Sequence, residues 1–188
     1  TVMIGKKSIT VTGMTKGSGM IAPNMATTLL FLVTDAKIPK NILQLYLNKA
    51  INRSFNMLSV DTDTSTNDMG LLFSTGEHKI DNESKEARTL FQELLTDVCI
   101  DLAKKIAMDG EGATKMIEVQ VKNAQSVLDA KKIALNVVNS PLVKTAVFGE
   151  DPNWGRIVCA VGDAGVSLNP EKVSVAIEGQ ILAQAGIP

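Results

Sequence analysis

One stretch decides how this chain folds: Lys16-Gly17-Ser18-Gly19-Met20-Ile21-Ala22-Pro23-Asn24-Met25-Ala26-Thr27-Thr28-Leu29-Leu30-Phe31-Leu32-Val33. Its first half combines glycines with a Pro-Asn pair, a composition typical of turns. Its second half is apolar and β-branched, which favours a buried strand. The small pair Ala26-Thr27 lies at the junction. A junction of this kind can hold one hydroxyl group, that of Thr27, in a fixed position.

The chemistry of threonine makes Thr27 a candidate nucleophile. A threonine hydroxyl needs an adjacent base, and the α-amino group of the same residue can be that base when the residue begins a chain. An α-amine titrates near pH ~8, so a useful fraction of it is neutral at pH ~7. This amine exists only if the Ala26-Thr27 bond is cut, for example after attack of the Thr27 hydroxyl on the Ala26 carbonyl. The alternative is that Thr27 simply begins a strand, as β-branched residues often do.

The composition is that of a globular protein without a nucleic-acid or membrane partner. The 188 residues suffice for one substantial core or two small domains. The chain is 45% apolar, 21% charged and only 4% aromatic, so its core is aliphatic. A net charge of −1, from 19 basic and 20 acidic residues, gives no electrostatic footprint for nucleic acid or anionic lipid. The apolar runs are too short to span a membrane, and no signal peptide is expected, so we predict a cytoplasmic protein.

The cysteines and the histidine argue against a metal site. Cys99 and Cys159 lie far apart in apolar surroundings, without a Cys-x-x-Cys motif. We therefore expect two buried free thiols in a reducing compartment. His78 is the only histidine and lies among charged residues, where a surface position in an exposed turn at residues 76–82 is expected.

Residues 59–68 are almost all short and polar, which predicts a loop. Ligand-type side chains alternate at positions 61, 63, 65 and 67, as in an EF-hand. However, the sixth position is Thr66 instead of glycine and the twelfth is Leu72 instead of glutamate. The loop is thus either a polar wall facing a small charged ligand or a self-hydrogen-bonded surface loop, and we predict no metal.

Hydrophobic periodicity predicts alternating strands and helices. Strands are expected at residues 8–12, 29–34, 69–75, 115–122, 143–148 and 173–177. Helices are expected at residues 39–58, 83–108, 127–138 and 154–161. Several links are too short for repeated βαβ crossovers, so we predict an α+β fold, a layered α/β sandwich of mixed sheets and helices.

Two charged residues beside glycines are weak ligand-binding candidates. Glu111 lies between two glycines at a predicted helix end, where a ligand ammonium could approach closely. An ordinary helix-to-strand turn explains it equally well. Lys16 could bind a carboxylate, although an isolated lysine is usually solvated. The glycines at 17–19 resemble part of a phosphate cradle, but no Gly-Lys-Ser/Thr follows them.

Four blocks together resemble the glutamate N-acetyltransferase / ornithine acetyltransferase family of arginine biosynthesis. They are KGSGMIAPNMAT, SFNMLSVDTDTSTND, DGEGATK and SPLVKTAVFGEDPNWGRI, and they occur in the family's order. The resemblance implies a self-processing fold of the N-terminal-nucleophile type, in which the precursor cuts itself within an Ala-Thr-x-Leu motif. Here it implies Ala26-Thr27 as the cleavage site and Thr27 as the catalytic nucleophile.

The resemblance also implies the reaction and its substrate-binding residues, Lys16, Thr27 and Glu111. Thr27 would take acetyl from N-acetylornithine in a ping-pong reaction and pass it to glutamate. A lysine for carboxylate and a glutamate for ammonium suit zwitterionic amino acids. No cofactor is implied, and whether acetyl-CoA also serves as a donor substrate stays open.

The same resemblance implies how the chain is divided. Residues 1–26 would be the C-terminal end of the α-chain portion, and 27–188 the β-chain portion, truncated at its C-terminus. The implied partners are the complementary α-chain and, in the assembled enzyme, a heterotetramer of two α and two β chains. The family's Thr-Gly oxyanion pair is expected upstream of Lys16, and further substrate-contacting residues beyond Pro188. Thr28 departs from the family, which usually has methionine there.

Two alternatives stay open at the level of sequence. A self-processing aminopeptidase or amidase of the same fold would pass the acyl group to water instead of to an amine. A non-catalytic α/β domain would use the glycine turn and the acidic loop to bind a small ligand or metal.

Overall fold

The chain folds into two compact units. The computed structural model describes residues 1–17, 19–22, 28–63, 69–81 and 83–184. Unit 1 is Thr1–Gly112 and unit 2 is Ala113–Pro188. Each unit has its own hydrophobic cluster of buried residues. The chain length allowed either one core or two, and the structure has two. The boundary between the units differs from the predicted α/β division at 26 and 27, which stays a prediction.

Unit 1 combines strands and helices in one core. The strands described in it are β1 (Val2–Ile4), β2 (Lys7–Ile9), β3 (Val11–Lys16), β4 (Leu29–Lys37) and β5 (Met69–Lys79). The helices described in it are α1 (Lys40–Asn52) and α2 (Lys85–Met108), with a 3₁₀ turn at Phe55–Met57. β1 and β2 form an antiparallel hairpin. Within the described residues, β3, β4 and β5 form a mixed sheet, in which β3 is antiparallel and β5 parallel to β4.

The sheet is packed on one face only within the described part of unit 1. Leu30, Leu32 and Ala36 of β4 are fully buried in the core. On the opposite face, Val33 pairs with Phe73, and their side chains are 44% and 52% exposed. Strand 29–34, expected to be fully buried, is thus buried at alternate residues, as in a half-buried strand.

Helix α2 forms the second layer of unit 1, close to its predicted bounds. The Ser84 side chain caps its N-terminus by accepting a hydrogen bond from the Ala87 N–H. Phe91 and Leu95 are fully buried on the apolar stripe that the sequence predicted. The predicted α+β class, with helices layered on a mixed sheet, is confirmed.

Gly13 lets α2 approach β3 closely. A Cβ atom at this position would lie 2.5 Å from the Leu32 Cδ2 and 2.9 Å from the Leu102 Cδ1. Leu32 belongs to the neighbouring strand and Leu102 to α2. Any side chain at residue 13 would therefore force the Leu32 and Leu102 side chains to shift.

Unit 2 is mainly helical in its described residues. Its elements are α3 (Val127–Asn139), α4 (Pro141–Phe148), α5 (Trp154–Gly162), a 3₁₀ turn at Pro170–Lys172, β6 (Val175–Ile177) and β7 (Gln180–Ala183). β6 and β7 pair antiparallel. The buried core comprises Val137, Val143 and Ala160, one from each helix.

Two predicted strands of unit 2 are wrong. Residues 143–148 belong to helix α4, because Pro141 opens the helix and the Ser140 side chain accepts a hydrogen bond from the Val143 N–H. These two starting signals outweigh the strand preference of the valines. Residues 115–122 alternate in burial as expected, but no strand in the described part of the chain pairs with them. Alternation without a partner strand does not make a sheet.

Several element bounds and exposures in unit 1 also differ from expectation. The helix predicted at 39–58 ends at Asn52, where Ser54 donates a side-chain hydrogen bond to the Ala50 carbonyl and the backbone leaves the helical conformation. The strand predicted at 8–12 is split between β2 and β3. The turn predicted at 76–82 is largely strand, since β5 continues to Lys79 through a bulge at Gly76. His78 is accordingly a half-buried strand residue that pairs with Ala36.

The cysteines fulfil only half of their prediction. Cys99 is fully buried in α2, whereas Cys159 is exposed in α5. Burial raises the pKa of the Cys99 thiol to about 12, and a hydrogen bond with Ser54 partly opposes this rise. Cys159 is exposed because α5 turns the neighbouring Ala160 into the core instead. None of the helices described in the structure is long and apolar enough to cross a membrane.

The packing at Gly13 can be tested by substitution. We expect Gly13→Ala to lower the free energy of unfolding by about 1–3 kcal/mol, because the added methyl group overpacks a buried contact. Denaturant titration of the variant measures this loss. Leu102→Val shortens the α2 side chain whose Cδ1 lies 2.9 Å from the position of the new methyl group, so in the double variant the two losses should not add. Additive losses would show that residue 13 and α2 are not in contact.

The two thiols should differ in reactivity. Near pH ~8, a thiol reagent should label Cys159 quickly and Cys99 only after unfolding, since only the exposed thiolate can react. Mass spectrometry of digested protein identifies the labelled residue. In the Cys159→Ser variant only Cys99 is left, and it should react slowly. Rapid labelling of Cys99 in that variant would contradict its burial.

The raised pKa of Cys99 also predicts how stability depends on pH. The folded state keeps this proton above the ordinary thiol pKa of 9.0, where the unfolded state releases it. The stabilisation is therefore complete below pH 9.0 and is lost as the pH rises toward about 12. Unfolding titrations above pH 9.0 should show a shallower decline of stability for Cys99→Ala than for the parent chain.

Candidate functional site

Three strand ends meet at one end of the sheet in unit 1. β3 finishes at Lys16, which pairs with Leu29 at the start of β4. Leu29 in turn pairs with Met69 at the start of β5. The predicted cleavage site, Ala26 and Thr27, lies outside the described residues. Its flanks, residues 19–22 and Thr28, are described and lead to this end of the sheet.

The upstream flank is held by a carboxylate from another part of the chain. Asp61 accepts hydrogen bonds from the backbone N–H of Met20 at 2.6 Å and of Ile21 at 2.9 Å. In return, the Ile21 carbonyl accepts from the Val60 N–H at 2.8 Å. Ile21 and Ala22 are buried, with 2% and 5% exposure. The chain is therefore fixed in position up to residue 22.

The downstream flank is fixed equally well. Thr28 is only 2% exposed, and its carbonyl oxygen accepts a hydrogen bond from the Met69 N–H at 3.2 Å. The Thr15 hydroxyl donates to the carbonyl of Leu29 at 3.2 Å. The residues just before 23–27 are thus bonded to Asp61, which precedes residues 64–68. Thr28, just after 23–27, is bonded to Met69, which follows residues 64–68.

Lys16 lies beside these flanks. It is the exposed last residue of β3, and Gly17 follows it with a φ of 139° that favours glycine. A positive charge is thereby placed at the strand end that faces the start of β4. The Lys16 side chain is exposed and can reach a ligand carboxylate there.

Glu111 arrives at the same end of unit 1 by way of α2. The rings of Tyr46 and Phe91 are 5.3 Å apart, and Ser54, just after α1, hydrogen-bonds Cys99 further along α2, so α1 and α2 run in the same direction. Since α1 returns from the end of β4 to the start of the parallel strand β5, α2 also finishes near the start of β5. Glu111 follows that helix end and is exposed.

The predicted substrate-binding pair is therefore placed at one end of a single unit. Lys16 follows a strand and Glu111 follows a helix, and both side chains are exposed. Gly112 has a φ of 69°, so the backbone turns sharply right after the carboxylate. Opposite charges at one end of a unit can hold a zwitterionic ligand such as an amino acid.

Asp61 is the residue whose contact the sequence did not reveal. It was one of the possible calcium ligands of the polar loop, but its carboxylate accepts backbone N–H groups of Met20, Ile21 and Asp63 instead. Short polar side chains commonly bond nearby backbone in this way. The pattern could have predicted the bond to Asp63, two residues on, but not the partners some 40 residues earlier. Among the described residues, no group of three or more acidic, cysteine or histidine side chains could hold a metal ion.

Unit 2 carries a separate open cleft of about 260 Å³. Polar side chains lining it include Asn136, Ser140, Arg156 and Asp163. The Arg156 guanidinium donates to the Leu142 carbonyl and the Thr145 hydroxyl, so it braces α4 against α5. Lys16 and Glu111, the predicted site residues that the structure describes, do not line this cleft.

Comparison with known proteins supports the resemblance seen in the sequence. The sequence model of the ArgJ family matches residues 1–188. The chain is 49% identical over 190 residues to the arginine biosynthesis bifunctional protein ArgJ of a Bacillus cereus strain, covering 100% of this chain and 46% of that protein. It is 50% identical over 189 residues to that of Bacillus licheniformis, covering 100% of this chain and 47% of that protein.

A solved structure has a similar fold. The crystal structure of the arginine biosynthesis bifunctional protein ArgJ from Bacillus halodurans superposes with a TM-score of 0.80 at 42% sequence identity. The match covers 84% of this chain and 75% of that chain. The chain spans about half the length of the curated relatives it matches.

Proposed function

Because the chain belongs to the ArgJ family, we propose that it supplies the nucleophile-bearing part of an acetyltransferase that moves acetyl from N-acetylornithine to glutamate in arginine biosynthesis. The observation that carries this proposal is the convergence of the Lys16 strand end, both flanks of the Ala26-Thr27 bond and the Glu111 helix end on one end of unit 1. Opposite charges at the same end of unit 1 as the flanks of the nucleophile suit acyl transfer between amino acids.

The nucleophile is proposed to arise by self-cleavage. The Thr27 hydroxyl attacks the Ala26 carbonyl carbon, the carbon–nitrogen bond breaks, and the Thr27 nitrogen takes up the proton. Water then hydrolyses the resulting ester, which leaves a carboxylate on Ala26 and a free amino group on Thr27. That amine becomes the base for the same residue's hydroxyl.

Acetyl transfer follows in two steps of the same kind. The Thr27 hydroxyl attacks the acetyl carbon of N-acetylornithine, the acetyl carbon–nitrogen bond breaks, and the ornithine nitrogen takes up the hydroxyl proton, so that ornithine leaves as the free amine and an acetyl ester remains on Thr27. The α-amine of glutamate attacks this ester and takes the acetyl group, and the threonine oxygen regains a proton. In each step the Thr27 amine relays one proton: from the Thr27 hydroxyl to the ornithine nitrogen in the first step, and from the glutamate amine to the threonine oxygen in the second.

Burial distinguishes between the two adjacent threonines. Thr28 is only 2% exposed and directly precedes strand β4, so its hydroxyl is closed to a substrate. This supports Thr27 as the nucleophile, although the Ala-Thr-Thr sequence supplies two hydroxyl groups. The presence of threonine in place of the family's usual methionine therefore does not shift the site.

The wider biochemistry follows from the same proposal. The enzyme works without a cofactor, and acetyl-CoA would enter only as an alternative acetyl donor. Residues 1–26 close the α-chain portion and 27–188 form part of the β-chain portion, which stays bound to a complementary α-chain in a heterotetramer of two α and two β chains. Its place is the cytoplasm, where amino-acid biosynthesis supplies its substrates.

The role of Thr27 can be tested on the full-length parent protein. Intact-mass measurement should show two chains separated between Ala26 and Thr27, and Thr27→Ala should leave one uncut chain. Incubation with N-acetylornithine should add one acetyl group to the chain that begins with Thr27. Thr28→Val, which removes the buried hydroxyl, should still be cut.

Other outcomes would redirect the proposal. Cleavage of the Thr27→Ala precursor would exclude Thr27 as the nucleophile. Release of free acetate without transfer to glutamate would favour the amidase or aminopeptidase alternative. An uncut Ala26-Thr27 bond in the mature protein would favour a non-catalytic ligand-binding domain.

The two charged residues should contribute mainly to substrate binding. Lys16→Ala and Glu111→Gln should each raise KM for the amino-acid substrates about tenfold or more, because each removes a charged hydrogen-bonding partner. Steady-state kinetics on the cleaved full-length enzyme separates KM from kcat. Lys6→Ala removes an exposed lysine of unit 1 from the β1–β2 turn and should change neither constant. An unchanged KM for Lys16→Ala would remove this lysine from the site.

A further inference from the structure

We propose that Asp61 is a positioning residue for self-cleavage, whose carboxylate fixes the chain upstream of the Ala26-Thr27 bond. This inference rests on the proposed function, because it assumes that the bond is cut by Thr27. It adds a residue from the polar loop, more than thirty positions after the bond, to the apparatus of cleavage. Asp61 acts through the backbone of Met20 and Ile21 and does not touch the reacting atoms.

The hydrogen bonds of Asp61 use both carboxylate oxygens. One oxygen accepts from the Met20 N–H at 2.6 Å, and the other accepts from the Ile21 N–H at 2.9 Å and the Asp63 N–H at 3.1 Å. Hydrogen bonds to a charged acceptor are shorter and stronger than neutral ones. The carboxylate therefore joins two stretches of backbone that are far apart in sequence.

The conformation that Asp61 holds is one that Met20 does not adopt by preference. Met20 has a φ of 57°, in the left-handed region that a residue with a Cβ rarely visits. Such a conformation persists only where its surroundings determine it. The bond from Asp61 to the Met20 N–H and the burial of Ile21 supply those surroundings.

Fixing both flanks matters for an attack within the chain. The upstream flank is bonded to Asp61 and Val60, and the downstream flank is bonded through Thr28 to Met69. An intramolecular attack is fast when the reacting groups are held near their attack geometry. Loss of the upstream anchor would free one end of the chain that must present the Ala26 carbonyl to the Thr27 hydroxyl.

The chemistry of the side chain explains why a carboxylate is needed. Both of its oxygens accept hydrogen bonds, whereas an asparagine amide has one accepting oxygen and an NH₂ group that only donates. Asp61→Asn therefore keeps the size of the side chain but turns one of its acceptors into a donor facing a backbone N–H. Asp61→Ala removes both acceptors.

The test follows cleavage of the full-length precursor over time. In freshly synthesised precursor, Asp61→Asn and Asp61→Ala should slow the appearance of the two chains about tenfold or more, because charged hydrogen bonds and alignment are lost. Asp63→Asn makes the same change of charge two residues away and should cut at the parent rate. Cleavage of Asp61→Ala at the parent rate would overturn the inference.

A second measurement separates positioning from folding. The two chains can be made as separate polypeptides that end at Ala26 and begin at Thr27, so that no cleavage is needed. Acetyl transfer by this assembly should survive Asp61→Asn, with kcat within about threefold of the parent assembly, because Asp61 touches no reacting atom. If the two-chain Asp61→Asn assembly lost acetyl transfer, Asp61 would have a general structural role, and the inference would be overturned.

The controls also separate this inference from the proposed function. If the parent precursor is never cut between Ala26 and Thr27, the proposed function fails, and the inference fails with it. If the parent is cut and acetylated while the Asp61 variants behave like it, only the inference fails.

Discussion

The parallel pairing of β4 with β5 is the constraint on which unit 1 depends. A parallel neighbour needs a crossover, and α1 supplies it between the end of β4 and the start of β5. Both strands therefore begin at the same end of the sheet, and the antiparallel strand β3 finishes there. The segments that lead into β4 and β5 meet at this end as a direct result. Asp61 and Met69 can bond the flanks of the predicted cleavage site only because of that meeting.

Much of this architecture could be predicted from local sequence. The apolar stripe of α2 repeats every three to four residues over 24 residues, and a pattern that long fixes both the type and the bounds of a helix. The turn-to-strand junction before Leu29 likewise predicted where β4 begins. The charged residues beside glycines, Lys16 and Glu111, could be singled out by composition, but as weak candidates. Their convergence depends on the direction in which α2 returns, which no local pattern contains.

The two mispredicted strands of unit 2 show that a local strand preference is realised only where its surroundings allow it. The alternating residues 115–122 have strand character but no pairing strand in the described chain, and the valines of α4 favour strands but follow a strong helix start. Asp61 shows the same limit at the site. Its own sequence predicts a side chain bonded to backbone, and only the fold reveals that this backbone includes Met20 and Ile21, upstream of the predicted cleavage site.

The site separates residues that hold the chain from residues that can meet a ligand. Ile21 and Thr28 are buried and hydrogen-bonded, and Ala22 is buried, so these residues hold the flanks of the predicted cleavage site in place. Lys16 and Glu111 are exposed at element ends, each beside a glycine with positive φ, where the backbone leaves room for a ligand. Charges on loops are most effective when a rigid scaffold sets their spacing. In this chain the scaffold is the mixed sheet with α2 packed on it, and the tight contact at Gly13 joins the two layers that carry the opposite charges.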